Sequence, residues 1–168
     1  MSEFTNQVTA LGYAYISDSV ITQTISSSAT WIDMALSGSA TESDITKNVR
    51  IGSIGTTLNE GKFELGTVGV YHFQLGFVFS GTASATYKIQ ALLNDAAIKQ
   101  SLVEFTTRGN NVIWEVGMSF IVECGYKPTS TNTGLYSSKN DVQIQCQNVN
   151  GTGDLKLANG IYNVIKIN

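Results

Sequence analysis

The stretch GVYHFQLGFVFSG, residues 69–81, decides the fold. Its apolar residues recur at every second position, so Tyr71, Phe73, Leu75, Phe77 and Phe79 fall on one side of an extended chain. Val70, His72, Gln74, Gly76, Val78 and Ser80 fall on the other. That is the period of a long strand with one dry face and one mixed face. A face turned to water would carry Lys, Glu or Thr, and this one carries none of them.

Strand signals extend outward in both directions. GYAYIS, at 12 to 17, sets Tyr13 and Tyr15 opposite Ala14 and Ile16; DVQIQCQN, at 141 to 148, sets Val142, Ile144 and Cys146 opposite three glutamines. IYNVIKI, at 161 to 167, alternates less cleanly, with apolar residues in both phases. Further strands are predicted at 20 to 25, 47 to 54, 62 to 65, 85 to 93, 111 to 115, 118 to 124 and 154 to 157. Clusters such as SSSAT, SGSATESD, NEGK, RGNN and NVNGTG separate them and supply turn chemistry. The best helical candidate, LLNDAAIKQ at 92 to 100, is too short and too poorly capped for more than a turn. Many short strands with almost no helix indicate a sandwich, jelly roll or barrel.

A chain of 168 residues fits one domain. No internal boundary is visible over 1–168, although residues 1–11 read as an N-terminal arm that docks elsewhere. Charged residues are 14% of the chain, against about 25% in ordinary soluble domains, and the net charge is -3. The ten Lys and Arg are scattered singly, so no basic stripe exists for a phosphate backbone and nucleic acid is not an expected partner. The N-terminal stretch lacks the charged and apolar regions of a secretory signal, and no apolar run approaches a spanning helix; no membrane insertion is expected. Cys124 and Cys146 read as free buried thiols, with a single bridge between them as the alternative.

Chemistry is sparse. His72 is the only imidazole, no serine lies in a strained GxSxG elbow, and so a nucleophilic triad is not expected. One His and two Cys are too few for a structural zinc site, and no DxDxDG-type loop offers calcium an oxygen cage. Glu104, Glu115 and Glu123 stand singly in strand contexts, and Asp141 and Asp154 read as turn formers near strand starts. No catalytic residue, metal or cofactor is therefore expected, and the chain is read as not an enzyme. A glycan-active enzyme with scattered carboxylates is the remote alternative. Trp31 and Trp114 are read as core or interface residues, with a sugar-stacking platform as the alternative. The longest loop, 125 to 140, carries Lys127, Asn132 and Tyr136 as a possible ligand or partner surface. The NGT sequon at Asn150 reads as a turn.

With the strands laid out, the C-terminal hundred residues resemble a known family. GTVGVYHFQLGFVFSG is similar to the central-strand signature of the tumour necrosis factor-like and complement-type globular-head jelly rolls. NDVQIQCQN resembles their later strand, and GDLKLANGIYNVIKIN their closing pair. The likeness covers roughly residues 60 to 168 and weakens before them. It implies an all-β, single-domain jelly-roll β-sandwich of two antiparallel sheets and about ten strands, trimer-forming, its inner sheets packed around a threefold axis. On that basis Tyr71, Phe73, Leu75, Phe77 and Phe79 are assigned to the core. His72, Gln74, Gly76 and Val78 are assigned to a trimer interface, together with Tyr13, Tyr15 and Tyr162. The inverse arrangement, aromatics at the axis, is the alternative.

The chain shows neither the signal segment nor the collagenous stalk of the extracellular members. Low charge and turns rich in Ser, Thr, Asn and Gly are more like the versions of this fold in virus and bacteriophage particles. The expected function is therefore a non-enzymatic virion structural protein, synthesised in the host cytoplasm. It would be a homotrimeric capsid decoration or cement protein on the outer surface of the head, with the major capsid protein or other virion subunits as partners. The alternative is a fibre or tail-tip protein that recognises a host glycan.

Overall fold

A computed structural model describes residues 11–16, 21–25, 30–34, 49–51, 62–65, 68–110, 112, 114–125, 140–150 and 153–167. Among them twelve strands run in chain order. They are β1 (Leu11–Ile16), β2 (Ile21–Ile25), β3 (Ile32–Asp33), β4 (Val49–Ile51), β5 (Lys62–Leu65), β6 (Gly69–Gly81), β7 (Thr86–Leu93), β8 (Ala96–Ala97), β9 (Val103–Thr106), β10 (Trp114–Cys124), β11 (Asn140–Asn148) and β12 (Gly153–Lys166). The helical content of the described residues is one 3-10 turn, Lys99–Ser101.

All pairings are antiparallel, in two sheets. The first has the order β1-β12-β6-β10, with β2 alongside β12; the second has β4-β5-β11-β7-β8, with β3 alongside β11 and β9 alongside β7. β6 lies between β12 and β10 over nearly its full length, as an uninterrupted 13-residue alternation requires.

Three differences from the sequence reading have local causes. The segments expected at 111 to 115 and 118 to 124 are not separated: Trp114–Cys124 is one strand, because Gly117 continues the ladder opposite Gly76 instead of breaking it. Likewise 154 to 157 and 161 to 167 merge into β12, where a register shift between Leu157 and Asn159 absorbs one residue. The candidate turn in LLNDAAIKQ is a hairpin: Asn94 and Asp95 take φ of 48° and 69°, the left-handed pair that a two-residue connection between β7 and β8 demands.

The core lies between the sheets. Tyr71, Phe73, Phe77 and Phe79 of β6 are fully buried or nearly so, as are Tyr87, Ile89 and Ala91 of β7 and Val142, Ile144 and Cys146 of β11. Rings join the layers: Phe63 of the second sheet meets Phe73 edge-on at 5.5 Å and Tyr162 at 5.6 Å, both first-sheet residues. Phe105 of β9 stacks on Phe79 at 5.8 Å. The aromatic face of β6 is thus the inward one, as assigned. Tyr162 is corrected: its ring is fully buried against Phe63 and Phe77 and does not join the outer face. The register shift in β12 explains this, since it resets the phase so that Gly160, Tyr162 and Val164 point inward.

Candidate functional site

The second face of β6 is the outer face of the first sheet, and its neighbours follow from register, because directly opposed residues of an antiparallel pair share a face. Across β10, β6 and β12 the rungs read Ile121, His72, Ile165; then Ser119, Gln74, Asn163; then Gly117, Gly76, Ile161; then Glu115, Val78, Asn159. On β1, Tyr13 and Tyr15 hold register positions opposite Asn163 and Ile161. Of the expected interface set, His72, Gln74, Gly76 and Val78 therefore lie on one surface, with Tyr13 and Tyr15 in register beside it.

That surface mixes exposed isoleucines with polar side chains. Ile121 on the edge strand β10 is 58% exposed, and Ile161 on the interior strand β12 is 50% exposed. The Asn163 amide donates to Gln74 Oε1 at 3.4 Å, and His72 Nε2 lies 3.0 Å from Ser119 Oγ. Where Gly76 and Gly117 are paired the surface sinks. One cleft of about 380 Å³ opens between Glu115, Val78 and Asn159, and another of about 570 Å³ between Gln74, Ser119 and Asn163. The two share Gly76, Gly117 and Ile161. Neither glycine is required by packing: a Cβ on Gly117 would meet nothing within 4 Å, and one on Gly76 would touch only the Ile161 carbonyl oxygen, at 3.8 Å.

The outer face of the second sheet is built differently. Lys88 Nζ lies 3.4 Å from Glu104 Oε2, and the Thr86 and Thr106 hydroxyls are 3.0 Å apart. The Gln90 amide donates to Gln145 Oε1 at 3.3 Å, and the Gln145 amide donates to Asp33 Oδ1 at 2.8 Å. Charged and amide side chains thus satisfy one another there across four strands.

The chemistry available on the first sheet is limited. His72 and Ser119 have the spacing of a base and a nucleophile, but no hydrogen bond joins His72 to a carboxylate among the described residues, and a triad needs that orienting acid. Cys124 and Cys146 are free and buried, and burial pushes their thiols up to about 11 and about 12, so neither is a nucleophile near neutral pH. Burial likewise raises the Tyr162 phenol well above its ordinary range, and raises that of Tyr87. No group of three or more His, Cys, Asp or Glu that could hold a metal occurs among the described residues. Trp31 and Trp114 are both half-buried. Lys127, Asn132 and Tyr136, and residues 1–10 of the expected arm, lie outside the described residues; Leu11 opens β1.

Sequence reasoning missed Gly117, Ser119, Ile121 and Ile161. The signal was present in WEVGMSFIVEC, where Glu115, Gly117, Ser119, Ile121 and Glu123 share one phase; dividing that run at Gly117 hid it.

The architecture is that of a tumour necrosis factor-like jelly roll. Among solved structures, Eiger TNF from S. frugiperda superposes with a TM-score of 0.54, over 95% of this chain and 94% of that one, at 8% identity. A likeness at that identity defines the fold. A second match, the delta-endotoxin Cry8Ea1 from Bacillus thuringiensis, covers 66% of this chain and 20% of that one at 10% identity and a TM-score of 0.34. No family model matches the chain, and no curated protein does.

Proposed function

We propose that this protein is a non-enzymatic assembly module: a homotrimer held through the outer face of its first sheet, serving as a decoration protein on the surface of a virus head. The observation that carries the reading is that face. It leaves Ile121 and Ile161 half in water, seats paired glycines where side chains would fit, and among the described residues carries its charges at the margins, Glu115 and Glu123 on β10 and Asp154 and Lys156 on β12. Apolar residues around a shallow cleft, with amides and hydroxyls between them, suit a surface covered by another copy of the chain. The TNF-like architecture supports the same arrangement. Placement on a virus particle rests on the sparsely charged surface and its turns rich in Ser, Thr, Asn and Gly. Docking onto coat subunits needs no catalysis, and threefold repetition would multiply a modest contact through avidity.

Sedimentation velocity at micromolar concentration tests the assembly: a trimer is expected, and a stable monomer overturns the reading. Imaging of intact particles tests the location. Density on the head, and faster genome release on heating when the protein is absent, support decoration. Density at a fibre tip, with glycan-array binding lost in Tyr136→Ala, replaces it with host attachment.

A further inference from the structure

The face proposed to be covered carries the chain's one imidazole. His72 sits between Ile121 of β10 and Ile165 of β12, with Ser119 Oγ 3.0 Å from its Nε2. A neutral imidazole offers one donor and one acceptor, and a hydroxyl can serve either nitrogen. An imidazolium has two donors and a charge, and burying it without a carboxylate is costly.

The groups that could supply that carboxylate are few. On β10, Glu123 stands opposite Val70 and is therefore diagonal to His72. Glu115 stands opposite Val78, six residues along the strand from Ile121, or about 20 Å away. On β12, Lys156 pairs with Ser80 at the far end, and Lys166 is in the inward phase of the strand. β6 contributes no other ionisable side chain to this face, and on β1 the register position two residues from Leu11, the partner of Ile165, is Tyr13. Among the described residues of the subunit Glu123 alone is in reach, and it is exposed, where water and salt screen it.

We infer that the assembly is acid-labile: covering the outer face favours neutral His72, and its protonation in mildly acidic solution drives the trimer apart. The inference rests on the homotrimer reading above. The sign follows from linkage: a proton is accommodated more readily on an imidazole left in water than on one covered without a carboxylate, so acid favours separated subunits and assembly weakens as pH falls. With one site per subunit, each further pH unit lowers the trimer association constant by up to about 1,000-fold.

The test is sedimentation velocity of the full chain at micromolar concentration, at pH 7.5 and 5.5 and fixed ionic strength, with far-UV circular dichroism at both values to confirm the fold is retained. The expected result is a trimer at pH 7.5 that dissociates at pH 5.5, while His72→Gln and His72→Phe remain trimeric at both. A wild-type trimer indifferent to pH, or variants that dissociate with acid as the wild type does, overturns this inference and leaves the assembly reading standing. A monomer at pH 7.5 overturns the assembly reading, and this inference with it.

Discussion

The two outward faces of the sandwich solve different problems with the same strand chemistry. On the second sheet, Lys88 meets Glu104, and Gln90, Gln145 and Asp33 form a chain of hydrogen bonds. Those side chains serve as one another's partners. On the first sheet, His72, Ser119, Gln74 and Asn163 form one hydrogen-bonded band, while Ile121 and Ile161 project and paired glycines leave hollows. No described residue completes it. The difference teaches that exposure alone does not distinguish the faces; what matters is whether exposed side chains have partners of their own.

The sharpest contrast lies between the two sides of β6. Phe73 is fully buried, stacked on Phe120 at 5.0 Å and edge-on to Phe63, so Phe73→Ala should cost about 3–5 kcal/mol of unfolding free energy in a denaturant titration. One residue away, His72→Gln should change monomer stability by less than about 1 kcal/mol. Comparing the outer faces directly, Ile161→Asp should weaken self-association by about 2–3 kcal/mol per subunit, measured by dilution in light scattering. Gln90→Ala should leave association unchanged, and loss of trimer there would move the interface to the second sheet.

Glycines sharpen the comparison further. A Cβ on Gly160 would fall on the buried Tyr162 ring, so Gly160→Ala should destabilise the subunit by about 1–3 kcal/mol. Gly117→Ala faces open space and should be within about 0.5 kcal/mol of wild type in stability, while altering association. Titration distinguishes inside from outside as well. Burial raises Cys124 and Cys146, so the stability they contribute is fully present below the unfolded thiol range near pH 9 and is lost as pH climbs toward about 11–12, and the raised Tyr162 phenol acts in the same direction at higher pH. Unfolding monitored over pH 8 to 12 should show that fall, and thiol labelling at pH 8 should require unfolding. The smallest effect is expected on the outer face of the second sheet: Lys88→Ala removes one exposed ion pair and should cost at most about 1 kcal/mol.

Much of this was legible from alternation. The phase of β6 separated Tyr71, Phe73, Leu75, Phe77 and Phe79 from His72, Gln74, Gly76 and Val78, but which set faces inward came from the resemblance, and burial of the aromatics decides it. Tyr162 was misplaced for a physical reason: a register shift after Leu157 is a long-range accommodation between β12 and β6, and one strand read alone does not contain it. Ile121 and Ile161 were passed over because an exposed isoleucine looks like a core residue in one dimension; its orientation emerges only from pairing with His72 and Gly76. The short strands β3, β8 and β9 were not anticipated, since two to four residues give periodicity too little length to act on.

The position of β12 has a consequence for how the molecule is made. It supplies the pairing partner of β1, β2 and β6, strands that leave the ribosome well before it does. Until the segment Gly153–Lys166 emerges, one edge of β6 is open and β1 and β2 have no place to bind, so the first sheet closes in a late step dominated by contacts distant in sequence. Nascent chains halted before residue 153 therefore expose a long hydrophobic strand edge, and the time spent in that state sets their exposure to aggregation and to chaperones.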